Sequence, residues 1–131
     1  MSKSPSVVYL DTHIVVWLAS DMVNRITPLA QSLIQQADLL FSPMVLLELG
    51  YLYELKRVQI PARDIQLKIE HEVGAHLCEL SFATIARAAL DEKWSRDPFD
   101  RLIVANAKAN GFAPLISADE NIQRNYPRTV W

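Results

Sequence analysis

Val7-Val8-Tyr9-Leu10 is a short, unbroken run of strand-favouring side chains, and it ends in a carboxylate, Asp11. A strand without polar alternation belongs inside a parallel sheet, where helices cover both faces. In open sheets of that kind, chemistry gathers beyond the carboxyl ends of the strands. Asp11 stands at such an end. What the chain can do therefore depends on which other groups reach the same edge.

Further along the chain, short apolar runs alternate with helical stretches. Thr12 is a candidate cap for a short helix over His13–Ala19. Asp21–Arg25 is polar and loop-like. Thr27-Pro28 opens a helix ending near Ala37, because proline at the first helical position loses no hydrogen bond. Leu39-Leu40-Phe41 reads as a second strand. Ser42-Pro43 repeats the opening signal for a longer helix to about Arg57, with Glu48 about one and a half turns in. Pro61 opens another helix, to about Glu72, and Gly74 closes that region. His76–Leu80 reads as a third strand, and Ser81 caps a helix over Phe82–Leu90. The charged stretch Asp91–Asp97 surrounds Trp94. Pro98 then starts a helix to about Asn110, with Gly111 suited to its C-terminal turn. Ala113–Ile116 is a fourth strand with Pro114 at its beginning. Ser117-x-x-Glu120 has the spacing of a capping box, and Thr129-Val130-Trp131 suits an edge strand. This alternation predicts a three-layer α/β domain with a central, mostly parallel sheet of four or five strands flanked by helices. One domain over residues 7–131 follows a short tail over residues 1–6. No linker, repeat or low-complexity segment interrupts it.

Composition narrows the function classes. The 131 residues are half hydrophobic and 21% charged, enough for a real core and too apolar for wholesale disorder. The net charge of −2 argues against a broadly basic nucleic-acid platform, though not against a local basic rim. Cys78 is the only cysteine, which excludes an intrachain disulfide and suits a reducing compartment; its apolar setting suggests an inert core thiol. Without a signal-peptide-length apolar segment or a run near the roughly 20 residues that span a bilayer, the expectation is a soluble cytoplasmic protein with no membrane partner. The three glycines form no phosphate loop or dinucleotide fingerprint, and nothing matches a zinc motif or a Ser or Cys nucleophile signature.

What remains is acidic. Asp11 follows the first strand, Glu48 rides the helix after the second, Asp100 lies in the first turn of a helix, and Asp119 lies in the first turn after the fourth strand. Crossover connections can bring all four to one edge. Their mutual repulsion would then call for a proton or a cation, and hard oxygen ligands suit Mg²⁺ or Mn²⁺. Each acid also has a plainer reading. Asp11 can cap a helix, and Glu48 can lie on a solvated face despite its leucine neighbours. Asp97 is a natural N-cap before Pro98, with Asp100 at the third helical position. Asp119 and Glu120 can serve the next helix in the same way. His13 is close enough to Asp11 to touch a ligand, or it is an ordinary surface or packed histidine. His71 and His76 form no metal motif.

Four motifs in order give the chain a family resemblance. They are Leu10-Asp11-Thr12-His13, Ser42-Pro43-Met44-Val45-Leu46-Leu47-Glu48-Leu49, Arg96-Asp97-Pro98-Phe99-Asp100-Arg101-Leu102-Ile103-Val104-Ala105-Asn106-Ala107, and Leu115-Ile116-Ser117-Ala118-Asp119. Together they resemble the PIN-domain family, and within it the VapC-type toxins of bacterial type II toxin–antitoxin systems, over about Val7 to Tyr126. The resemblance implies an endoribonuclease with Asp11, Glu48, Asp100 and Asp119 around one or two divalent ions, Mg²⁺ or alternatively Mn²⁺. It implies supporting roles for Thr12, Asp97 and Ser117, an RNA substrate class that includes transfer RNA, a cognate antitoxin protein, and a homodimer.

On that basis an activated water, rather than a protein nucleophile, attacks the phosphodiester and leaves a 5′-phosphate and a 3′-hydroxyl. Arg96 and Arg101, joined by Lys93, are candidates for phosphate contact, or for salt bridges with Asp91, Glu92 or Asp97. Trp94 either stacks on an RNA base or packs on a helix shoulder or at a subunit interface. Two alternatives stand beside this reading. One is a catalytically weak protein-binding module, using large residues such as Tyr51 and Tyr53 on the Leu46–Leu55 helix. The other is a nuclease of the same architecture acting on structured DNA.

Overall fold

A computed structural model describes residues 6–131; the expected N-terminal tail lies outside the described residues except for Ser6. Five strands of the described residues form one sheet: β1 (Val7–Leu10), β2 (Asp38–Phe41), β3 (His76–Leu77), β4 (Leu115–Ile116) and β5 (Thr129–Val130). Their order is β3-β2-β1-β4-β5, and every neighbouring pair is parallel. The chain's first strand is thus the centre of the sheet. It pairs Tyr9 with Leu40 on one side and Leu10 with Ile116 on the other. Val8, Tyr9 and Leu10 are fully buried, as the unbroken apolar run requires.

Among the described residues, seven α-helices flank the sheet: α1 (Thr12–Ala19), α2 (Pro28–Gln36), α3 (Pro43–Glu54), α4 (Ala62–Lys68), α5 (Phe82–Ala89), α6 (Pro98–Ala109) and α7 (Glu120–Asn125). Their starts follow local chemistry. Thr27, Ser42 and Asp97 each accept a backbone N–H from the first turn, and a proline follows each of them at the helix start. Pro61 is itself the cap of α4 rather than its first residue. Beyond Lys68 the winding widens into a π-helical turn over Ile69–Val73. Gly74 ends it with a left-handed φ of 75°, which glycine adopts without steric cost.

Among the other boundaries that differ from expectation, three have identifiable reasons. The cap of α1 is Asp11, not Thr12, because Asp11 keeps extended backbone angles and accepts from Thr12 N–H. β3 is shorter than expected. Cys78 still donates its N–H to Phe41, but its sulfur then accepts from Leu80 N–H and turns the chain away. β4 begins only after Pro114, whose carbonyl nevertheless accepts from Tyr9 N–H at 2.8 Å.

The main core joins the sheet to α1, α3, α4 and α6. A polar knot is set within it. The Tyr9 hydroxyl donates to Cys78 Sγ and accepts from the Asn106 and Asn110 side-chain amides. The thiol expected to be inert is indeed buried, but it anchors a network. Burial, followed by the bond to Cys78, drives the Tyr9 pKa far above its ordinary value. Among the described residues, Asn106 Oδ1 is the one buried side-chain polar atom without a partner. No helix among these residues is long and apolar enough to cross a membrane.

Candidate active site

Because the sheet is parallel, the carboxyl ends of β1 and β4 lie side by side. Asp11 immediately follows β1, and Ser117 immediately follows β4. The Ser117 hydroxyl donates to Asp11 Oδ2 at 2.6 Å, while Thr12 N–H donates to Oδ1 at 2.8 Å. Both carboxylate oxygens are therefore held by the fold. Asp11 is only 6% exposed, and burial raises its pKa. The two hydrogen bonds and the nearby charge on His13 oppose that rise, and Asp119 adds to it.

Ser117 also accepts from Asp119 N–H, which folds the turn after β4. The expected capping box from Ser117 to Glu120 is therefore replaced. Asp119 caps α7, its Oδ1 accepting from Asn121 and Ile122 N–H, and Ser117 is free to hold Asp11.

Glu48 projects from α3 toward the same place. Its Oε1 accepts the Thr12 hydroxyl at 2.5 Å, so one residue holds two acids: the Thr12 N–H binds Asp11 and its hydroxyl binds Glu48. The solvated-face reading of Glu48 is thereby set aside. Burial raises its pKa; Thr12 lowers it, and Asp11 and Asp97 raise it further.

Asp97 caps α6 by accepting Phe99 N–H at 2.8 Å, and its own N–H donates to Ser95 Oγ. Asp100 follows at the third helical position, partly buried. Its pKa is pushed from 3.8 up to about 7, first by burial and then by Asp97, Asp11, Asp119 and Glu48 in turn. Each of those charges is thus near enough to be felt at one carboxyl. No hydrogen bond offsets the rise, in contrast to Asp11 and Glu48.

The structure therefore gathers Asp11, Glu48, Asp97, Asp100 and Asp119 into one electrostatic field. They converge without closing: among the described residues no three acidic, histidine or cysteine side chains stand close enough to enclose an ion together. The donors are carboxylate oxygens without nitrogen or sulfur partners, a chemistry that suits a hard cation such as Mg²⁺, which keeps several of its own waters. The donor set does not fit a closed structural-metal cage. The oxygen donors available to such an ion are Asp11, Glu48, Asp100 and Asp119.

The basic residues are less free than the sequence suggests. Arg101 donates to the Ala89 carbonyl at 2.9 Å, satisfying the C-terminal end of α5. Arg96 is exposed and donates weakly to the Lys93 carbonyl at 3.3 Å. The two guanidinium groups and Pro98 line a hollow of about 400 Å³ beside α6. Trp94 packs against the core and donates its indole N–H to Glu92. The other Glu92 oxygen accepts Lys108 Nζ at 2.8 Å, and Glu92 is 1% exposed. Nothing in the local sequence signals this buried pair, because its cation comes from 16 residues away.

Comparison with known proteins accords with this geometry. The PIN domain family matches residues 8–127. Ribonuclease VapC22 of Mycobacterium tuberculosis (strain ATCC 25618 / H37Rv) is 32% identical over 131 residues, spanning 95% of this chain and 98% of that protein. The crystal structure of VapBC2 from Rickettsia felis bound to a DNA fragment from their promoter superposes with a TM-score of 0.61. At 18% identity it covers 95% of this chain and 96% of its own, and it supports the fold. The chain belongs to the PIN-domain family and is related to the VapC-type toxin ribonucleases of toxin–antitoxin systems.

Proposed function

We propose that this chain is a divalent-metal-dependent endoribonuclease that hydrolyses RNA phosphodiesters as the cytoplasmic toxin of a type II toxin–antitoxin pair. The observation that carries the reading is Asp100. Its carboxyl, held near pH 7 by burial and four neighbouring acids, marks a place built to receive positive charge.

Asp11, Glu48 and Asp100 would supply the main donors for Mg²⁺ or Mn²⁺, in part through the ion's own waters, and Asp119 would complete the set. When bound, the ion supplies a nucleophilic water at neutral pH and neutralises charge on the phosphate. The chain's own work is positioning. Ser117 and Thr12 fix the carboxylate of Asp11, and Thr12 fixes that of Glu48. Asp97 fixes the first turn of α6, from which Asp100 projects. Arg96 offers a guanidinium to the RNA backbone, and Arg101 lies beside it after serving α5. Transfer RNA belongs to the substrate class.

Tyr51 and Tyr53 are 48% and 43% exposed, and Leu47, Leu55 and Leu67 are also uncovered. So much exposed apolar surface suits a homodimer contact and an antitoxin contact alongside catalysis.

The test is cleavage of total RNA by purified protein with Mg²⁺ or Mn²⁺, with chelator, and by a folded Asp100→Asn variant. Cuts that need the metal, vanish in the variant and leave 5′-phosphate ends are expected. Ends carrying a 2′,3′-cyclic phosphate would overturn the proposed attack by water. Preferential cleavage of matched structured DNA would move the substrate class.

A further inference from the structure

Beyond the acids, the same sheet edge carries aromatic rings that the proposed chemistry leaves unused. His13 is exposed, two residues after Asp11. One helical turn further along α1, Trp17 lies with its ring centroid 6.2 Å from that of His13, at an interplanar angle of 50°. Trp131 follows, its centroid 6.1 Å from Trp17 at 36°.

The topology explains why Trp131 is there. It comes directly after β5, and β5 is parallel to β4, so its carboxyl end lies at the edge that holds the acids. Ser117, which grips Asp11, donates its N–H to the carbonyl of Val130 at 3.3 Å. One end of the row is thus tied to the site through α1 and the other through β5. Trp17 and Trp131 are only partly buried. At these spacings and tilts neither pair is a closed face-to-face stack, so ring surface remains for other planar groups.

We propose that His13, Trp17 and Trp131 form a stacking track for unpaired bases of a single-stranded nucleic acid entering the acidic site. This rests on the nuclease reading above. Every base has a π-face, and aromatic rings in a row hold successive bases with little dependence on sequence. The track would therefore select for strand openness near the cut and contribute little to base identity. It also gives a net-acidic protein a way to hold RNA that does not depend on a broad basic surface.

The test separates binding from cleavage. In chelator, where no cutting occurs, a short single-stranded RNA is titrated against the protein and tryptophan fluorescence is followed. It is compared with an equally long strand made abasic at its centre. Wild type should bind the base-bearing strand about tenfold more tightly than the abasic one. Trp131→Ala and His13→Ala should each remove most of that difference, and Trp131→Phe, which keeps a ring, should restore most of it. Circular dichroism confirms that the variants are folded. Equal binding of the two strands by wild type, or an unchanged preference in folded Trp131→Ala and His13→Ala, would overturn the track. Absence of metal-dependent RNA cleavage alongside a base preference that these variants lose would instead overturn the nuclease reading and leave the track standing.

Discussion

Burial and its acidic neighbours push the Asp100 carboxyl from an ordinary 3.8 up to about 7. The folded state therefore binds this proton more tightly than the unfolded chain does. Stability from this group is present at acidic pH and is lost as pH rises through about 7. Metal-free protein should melt at a higher temperature at pH 5.5 than at pH 8, and Asp100→Asn should flatten that difference; scanning calorimetry at both pH values reads it. A cation must displace the same proton. Mn²⁺ affinity, measured by titration calorimetry, should fall about tenfold per pH unit below about 7 and level off above it. The hydroxyl of Thr12 acts one step removed, by holding Glu48 at 2.5 Å. Thr12→Val keeps the side-chain shape and removes that bond. It should weaken Mn²⁺ binding by about 10–100-fold with little change in melting temperature.

Helix starts were the most legible elements, because their chemistry is local. Thr27-Pro28, Ser42-Pro43 and Asp97-Pro98 each carry cap and first residue side by side. What stayed hidden depends on contacts distant in sequence. The capping box expected at Ser117 gave way because Asp11, 106 residues earlier, claims the Ser117 hydroxyl. Glu92 stood among the acids that could pair with Arg96, Arg101 or Lys93, yet it is buried and bound by Lys108 and Trp94 instead. That pair ties the loop between α5 and α6 to the far part of α6, and so steadies the turn from which Asp97 and Asp100 project. Lys108→Met would leave Glu92 with only the Trp94 N–H for a partner. The cost should be about 3 kcal/mol, at the lower end for a broken buried pair because Lys108 still reaches solvent, and urea denaturation measures it.

At the scale of the whole molecule, strand-helix alternation was enough to anticipate a parallel α/β sheet, since each apolar run was short and each intervening segment helical. Strand order was not legible, because two-residue strands such as β3 and β4 carry almost no pattern of their own. The convergence of the acids was likewise visible only as a possibility, since it requires knowing that β4 lies beside β1. Of the basic residues, Arg101 proved to have a structural duty that the sequence did not betray.

The first strand waits in the middle of the sheet for a neighbour that comes more than a hundred residues later. A fragment ending at Gly111 would have Asp11 but neither β4 nor Ser117. It should show no cooperative thermal melt and no measurable Mn²⁺ binding. On a ribosome, that order of manufacture matters. The emerging chain carries Asp11 for more than a hundred residues before Ser117, the residue that aims it, is made. Until Ser117 has been made, the emerging chain carries an acid without its clamp and a central strand without its second neighbour.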